Sequence, residues 1–127
     1  MRVWVEEAEH DLEVAAALSA SGYHSHCAVS CEQGAEKLLK ALWIYRHQKG
    51  PPHHSELGRL AESLGAPGIV VRASALLEPD LMMARYPDAA LVPPYTRYDS
   101  ATSADRLRAA GEVAQWVRER LADEGWA

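Results

Sequence analysis

From Tyr23 to Gln48 the chain runs without proline and repeats its apolar residues at helical spacing, and no other stretch constrains the fold as much. Cys27, Ala28, Cys31, Ala35, Leu38, Leu39 and Leu42 form one face of the predicted helix. Glu32, Gln33, Glu36, Lys37 and Lys40 are expected on the other, with Glu36 and Lys40 an i,i+4 pair of the favourable orientation. At 1.5 Å per residue such a helix is roughly 40 Å long, more than a small mixed fold usually accommodates. Gly50-Pro51-Pro52 stops it, because proline cannot continue a helix and extends the residue before it.

The remaining segments supply partners for that rod. Trp4, Ala8, Leu12, Ala15 and Ala16 lie along one stripe of a first helix, Val3 to Ser21, with acidic residues over much of the rest. Gly22 then serves as its left-handed terminator. A short helix capped by Ser55 carries Leu57, Leu60, Ala61 and Leu64. Ile69-Val70-Val71 is β-branched enough for a strand. Ala73, Leu76 and Leu77 nevertheless continue a helical spacing, so residues 67–78 are predicted helical with Pro67 in the first turn. Prolines 79, 87, 93 and 94 exclude a continuous helix over the next segment, leaving a turn through Met83 and an irregular crossover to Tyr98. A last helix starts after Asp99 as N-cap, with Ala104, Leu107, Ala110, Ala114, Val117 and Leu121 along its seam and Arg106, Arg108, Arg118 and Arg120 off it. Three long amphipathic helices bury their stripes only against each other, so the expected fold is all-α: an antiparallel up-and-down bundle of four to five helices, one domain over 1–127.

Composition narrows the setting. The net charge of −5 argues against a nucleic-acid binder held by bulk phosphate attraction, although it leaves a local basic patch open. No apolar run reaches the length of about eighteen residues needed to span a membrane. Two cysteines are too few for a disulfide-framed fold, so a cytoplasmic protein is expected.

Three constellations could carry chemistry. His24, Cys27 and Cys31 fall on one helical face, with His26 beside them and His53 and His54 later, but no zinc-knuckle spacing occurs. Two buried thiols beside exposed imidazoles explain that group equally, and no metal or cofactor is expected. Arg46 and His53 straddle the end of the long helix. An arginine to stabilise phosphate charge and a histidine to move a proton are what a metal-free ribonuclease needs. An arginine at a helix C-terminus beside a loop histidine is the plainer alternative. In the crossover, Arg85-Tyr86-Pro87-Asp88 and Pro94-Tyr95 with Arg97 and Tyr98 offer a guanidinium for phosphate and rings for base stacking. The same tyrosines could instead pin the crossover to the bundle, with Arg85 and Asp88 as a local ion pair. Trp43, Trp116 and Trp126 suit a core or an oligomer interface.

Glu32-Gln33-Gly34-Ala35-Glu36-Lys37-Leu38-Leu39-Lys40-Ala41-Leu42 resembles the long second helix of the HEPN domain family. His54-Ser55-x-Leu57, Ala84-Arg85-Tyr86-Pro87-Asp88-Ala89 and Pro94-Tyr95 resemble three further family segments in the same order, and Trp4, Ala8, Asp11-Leu12, Ala15 and Gly22-Tyr23 match its opening. The resemblance spans nearly the whole chain. It implies a helical bundle, usually a homodimer, acting with a minimal nucleotidyltransferase in a toxin–antitoxin-like pair. It also implies nucleotide or RNA interaction, and in many members metal-independent ribonuclease activity through an Arg-x4-6-His motif at a later helix. This chain lacks that arrangement there, and Arg46-x6-His53 meets the spacing at a different place. The expected ligand site is Arg85, Tyr86 and Tyr95, joined by Lys37 and Lys40 if the long helix lines the same cleft. The rivals are a ribonuclease using Arg46 and His53, and a structural adaptor that binds no nucleotide.

Overall fold

The computed structural model describes residues 1–52, 56–87 and 91–126. Helix α1 spans Arg2–Ala20, α2 His24–His47, α3 Leu57–Ser63, α4 Gly68–Leu77 and α6 Ser100–Asp123, with α5 a single turn at Asp80–Met83. A 3-10 turn, Pro94–Arg97, lies in the crossover, and no strand occurs among the described residues. The β-branched Ile69-Val70-Val71 is helical, as its flanking pattern requires, with Pro67 capping α4 rather than occupying its first turn. Glu56 precedes α3, and the expected cap Ser55 lies outside the described residues.

Helix α2 is the central rod. It packs along α1 on one side and α6 on another, while α4 packs on α6, α3 on α4, and α5 against α2. One core cluster draws Val5, Ala8 and Ala15 from α1 and Cys27, Cys31, Leu38, Leu39 and Leu42 from α2. It continues through Leu57 and Leu60, Val70 and Leu77, and Val113, Val117 and Leu121. Trp4, Trp43, Trp116 and Trp126 pack at its rim.

Because α2 is covered from several sides, a single-stripe reading of its polar face fails. Glu32 is 1% exposed and Lys40 is also buried, although both were expected on the face opposite the apolar one. The opposite error falls on Ala16 and Ala104, which are exposed because the bundle leaves those edges of α1 and α6 uncovered. Arg106 was expected off the buried seam, yet its side chain is mostly covered.

Two glycines let these helices meet as they do. Gly22 has φ +85°, the left-handed conformation that turns the chain from α1 into α2. Gly34 lies in the α1–α2 contact, where an added Cβ would come 2.7 Å from Leu12 Cδ2 and 3.3 Å from the Ala8 carbonyl oxygen. Gly34→Val therefore forces the two helices apart and is expected to destabilise the protein by about 1–3 kcal/mol, read from the urea midpoint. An unchanged midpoint would show that the contact is slack.

Candidate functional site

The crossover is held down by one buried carboxylate. Asp80, at the start of α5, is 2% exposed. Tyr98 Oη donates to its Oδ1 at 2.7 Å and Arg106 Nε to its Oδ2 at 2.5 Å. Burial, then the bond to Asp80, pushes the Tyr98 phenol well above its ordinary value, so the hydroxyl stays a donor. Tyr98 and Ala84 also pack on Ala28 of α2, with Val29 alongside. Asp99 then caps α6 by accepting from the Thr102 N–H at 2.9 Å, as its place in the sequence predicts.

This pinning brings both ends of the crossover onto the first turns of α2. A cavity of about 480 Å³ results, with Leu18, Val29 and Ala84 as apolar walls. Ser25, His26 and Ser30 line it from α2, and Arg85, Pro94 and Tyr95 from the crossover. The Arg85 guanidinium sits over the Tyr86 ring, 5.1 Å from its centroid, an arrangement that orients the charge. Tyr95 is 73% exposed and its ring forms the solvent rim. One cation, one exposed ring, an imidazole and two hydroxyls around an apolar floor can bind an anionic group and an attached aromatic ring together.

Of the residues expected at a ligand site, the structure brings together Arg85 and Tyr95. Tyr86 supports Arg85 and is itself exposed. Lys37 belongs to a different surface, bonded to Asp11 at 2.7 Å and lining a small hollow with Val3, Trp4 and Glu7. Lys40 is paired with Glu36 at 3.4 Å and lines no part of the crossover cavity. Ser25 and Ser30 were missed, and His26 was considered only as a metal ligand. Their signal was weak: positions on the first turns of α2 beside the end of a crossover, meaningful only once the crossover's path is known.

Arg46, His24, Cys27 and Cys31 each have partners within the fold. Arg46 presents its fork to Glu124, Nε to Oε1 at 2.9 Å and Nη2 to Oε2 at 2.7 Å, while Nη1 donates to the Leu64 carbonyl at 2.6 Å. The bond to Glu124 raises the Arg46 guanidinium further, and Tyr45 adds a bond to the Glu124 carbonyl at 2.7 Å. These contacts tie the ends of α2, α3 and α6 together and satisfy an orphan helix carbonyl. His53 lies outside the described residues, as do His54 and Asp88. His24 Nδ1 is 2.6 Å from Ser103 Oγ. Cys27 and Cys31 are fully buried, and the Cys31 thiol is pushed up by its hydrogen bond with Cys27 and then by burial. Among the described residues no group of three or more His, Cys, Asp or Glu is placed to hold a metal ion.

Glu32 was not anticipated. Neither carboxyl oxygen has a hydrogen-bond partner. Burial, followed by the nearby Glu36 charge, pushes the group up to about 8 against a weaker pull from Lys40, so it is protonated at neutral pH.

The HEPN domain family matches residues 1–120, and the chain belongs to that family. The fold agrees with solved structures. A crystal structure of TT1696 from Thermus thermophilus superposes with a TM-score of 0.88 at 26% identity, covering 94% of this chain and 97% of that one. ST0689, an archaeal HEPN homologue, superposes with a TM-score of 0.82 at 23% identity, covering 94% and 96%. No curated protein matches the chain. No helix among the described residues is long and apolar enough to cross a membrane.

Proposed function

We propose that this HEPN protein binds a nucleotide or RNA nucleotide unit in the crossover cavity, and that it does so as the homodimeric partner of a minimal nucleotidyltransferase in a toxin–antitoxin-like pair. The observation that carries the ligand is the convergence of Arg85 and Tyr95, ten residues apart in sequence, on one cavity with His26 and two serines of α2. A guanidinium supplies a charge-assisted bond to phosphate, and an exposed ring supplies a stacking face for the base. The partner and the dimer rest on the family's pattern alone. The ribonuclease reading is weaker, because the Arg46 fork is filled by Glu124 and the Leu64 carbonyl and would have to be released to meet phosphate.

Calorimetric titration of the purified chain with the four ribonucleotides tests the site. At least one is expected to bind, with Arg85→Ala weakening it by about 10- to 100-fold, the loss of the charge-assisted contact between its fork and the phosphate. Tyr95→Ala is expected to weaken it by about tenfold. Both side chains are exposed, so unchanged thermal stability should accompany both losses. Absence of binding by the wild-type chain would leave the adaptor reading.

A further inference from the structure

Resting on the reading of the crossover cavity as a nucleotide site, we propose that its ligand carries a single terminal phosphate, a nucleoside monophosphate or the 5′-phosphorylated end of an RNA, rather than a polyphosphate chain. The charge of the lining decides this. Arg85 is the one guanidinium or ammonium among the described lining residues, and the other polar groups are two hydroxyls, an imidazole and a phenol. The neighbouring segment 88–94 reads Asp-Ala-Ala-Leu-Val-Pro-Pro and contains no lysine or arginine. The next arginines along the chain, Arg97 and Arg106, line a separate cleft with Asp80 and Asp105, and Arg106 is committed to both carboxylates.

One arginine matches one phosphoryl group. Its fork gives two parallel bonds to a phosphate, and stacking on Tyr86 orients the fork before the ligand arrives. Each further phosphate would enter without a cation to meet it, on a chain whose net charge is already −5. The nucleoside has its own surfaces: Tyr95 at the rim for the base, and the Ser25, Ser30 and His26 side chains for ribose hydroxyls. A volume of about 480 Å³ is that of a small-ligand site. Tyr95 at the open edge leaves room for a strand to continue outward from the bound nucleotide.

The test is calorimetry on the full chain with adenosine, AMP and ATP, repeated with GMP, CMP and UMP, and with a trinucleotide carrying either a 5′-phosphate or a 5′-hydroxyl. At least one monophosphate is expected to bind tenfold or more tighter than its nucleoside, and ATP no tighter than AMP. Arg85→Ala is expected to erase the difference between monophosphate and nucleoside, and Arg85→Lys, which keeps the charge and loses the fork, to restore it in part. A phosphorylated trinucleotide binding tenfold tighter than the best free monophosphate identifies the RNA end as the ligand; equal affinities identify the free nucleotide. A nucleoside that binds as well as its monophosphate, or ATP binding tenfold tighter than AMP, overturns the single-phosphate assignment while leaving a nucleotide site in place. Failure of every nucleoside and nucleotide to bind overturns the site itself.

Discussion

Arg106→Met is expected to cost about 3–5 kcal/mol of stability. The reason lies in what it leaves behind. The Asp80 side chain is 3% exposed, and without Arg106 its charge keeps, among the described residues, only the Tyr98 hydroxyl as a partner. A carboxylate stranded in that position must either remain ionised out of water or take up a proton, and both are expensive. The double variant Asp80→Asn/Arg106→Met is expected to recover a large part of the loss, because no stranded charge then remains at that position. Since Asp80 also anchors the start of the crossover, nucleotide affinity should fall with stability in Arg106→Met and return in the double variant. Urea denaturation of the two variants and wild type decides it. A loss below about 1 kcal/mol in Arg106→Met would mean that the ion pair behaves like an exposed one.

Glu32→Gln is expected to act in the opposite direction and to depend on pH. Burial raises the folded-state value of this carboxyl to about 8, above its ordinary value of 4.5. The unfolded chain therefore releases the proton first as pH rises. Wild-type stability from this group is fully present below about pH 4.5 and is lost progressively until pH passes about 8. The slope is on the order of 1 kcal/mol per pH unit at its steepest. Glutamine cannot ionise, so the variant should show no such decline. Denaturation curves at pH 5, 6, 7 and 8 should show the two proteins close together at the acid end, with the variant increasingly the more stable towards pH 8. Taking the difference between the two proteins removes the titration of every other group. A constant difference across that range would mean that the Glu32 carboxylate is stabilised in the folded protein as well as it is in water.

The bundle was legible because helical periodicity is a local property. Each stripe could be read within its own segment, and the flanking Ala73, Leu76 and Leu77 correctly outweighed the β-branched Ile69-Val70-Val71. Asp99 was legible as a cap for the same reason, since its acceptor reaches Thr102, three residues on. Glu32 and Lys40 were misread because amphipathic reasoning assigns a helix one covered face. As the central rod, α2 has neighbours on several, and only the assembled bundle reveals that. Arg46 shows the limit most plainly. Its partner Glu124 is 78 residues away, and no spacing rule connects them. The crossover residues stand between these cases. An arginine beside tyrosines marked the segment, but the side chains they would meet on α2 depend on Asp80 reaching forward to Tyr98 and Arg106.

The most direct measurement follows backbone amide resonances of the isotopically labelled chain as AMP, or whichever monophosphate binds tightest, is added. A crossover pinned across α2 to form a nucleotide cavity requires the largest shifts at Ser25, His26, Ser30, Arg85 and Tyr95, with Arg46, Glu124 and Lys37 unmoved. Shifts concentrated around Arg46 and Glu124, or no shifts at saturating nucleotide, would contradict it.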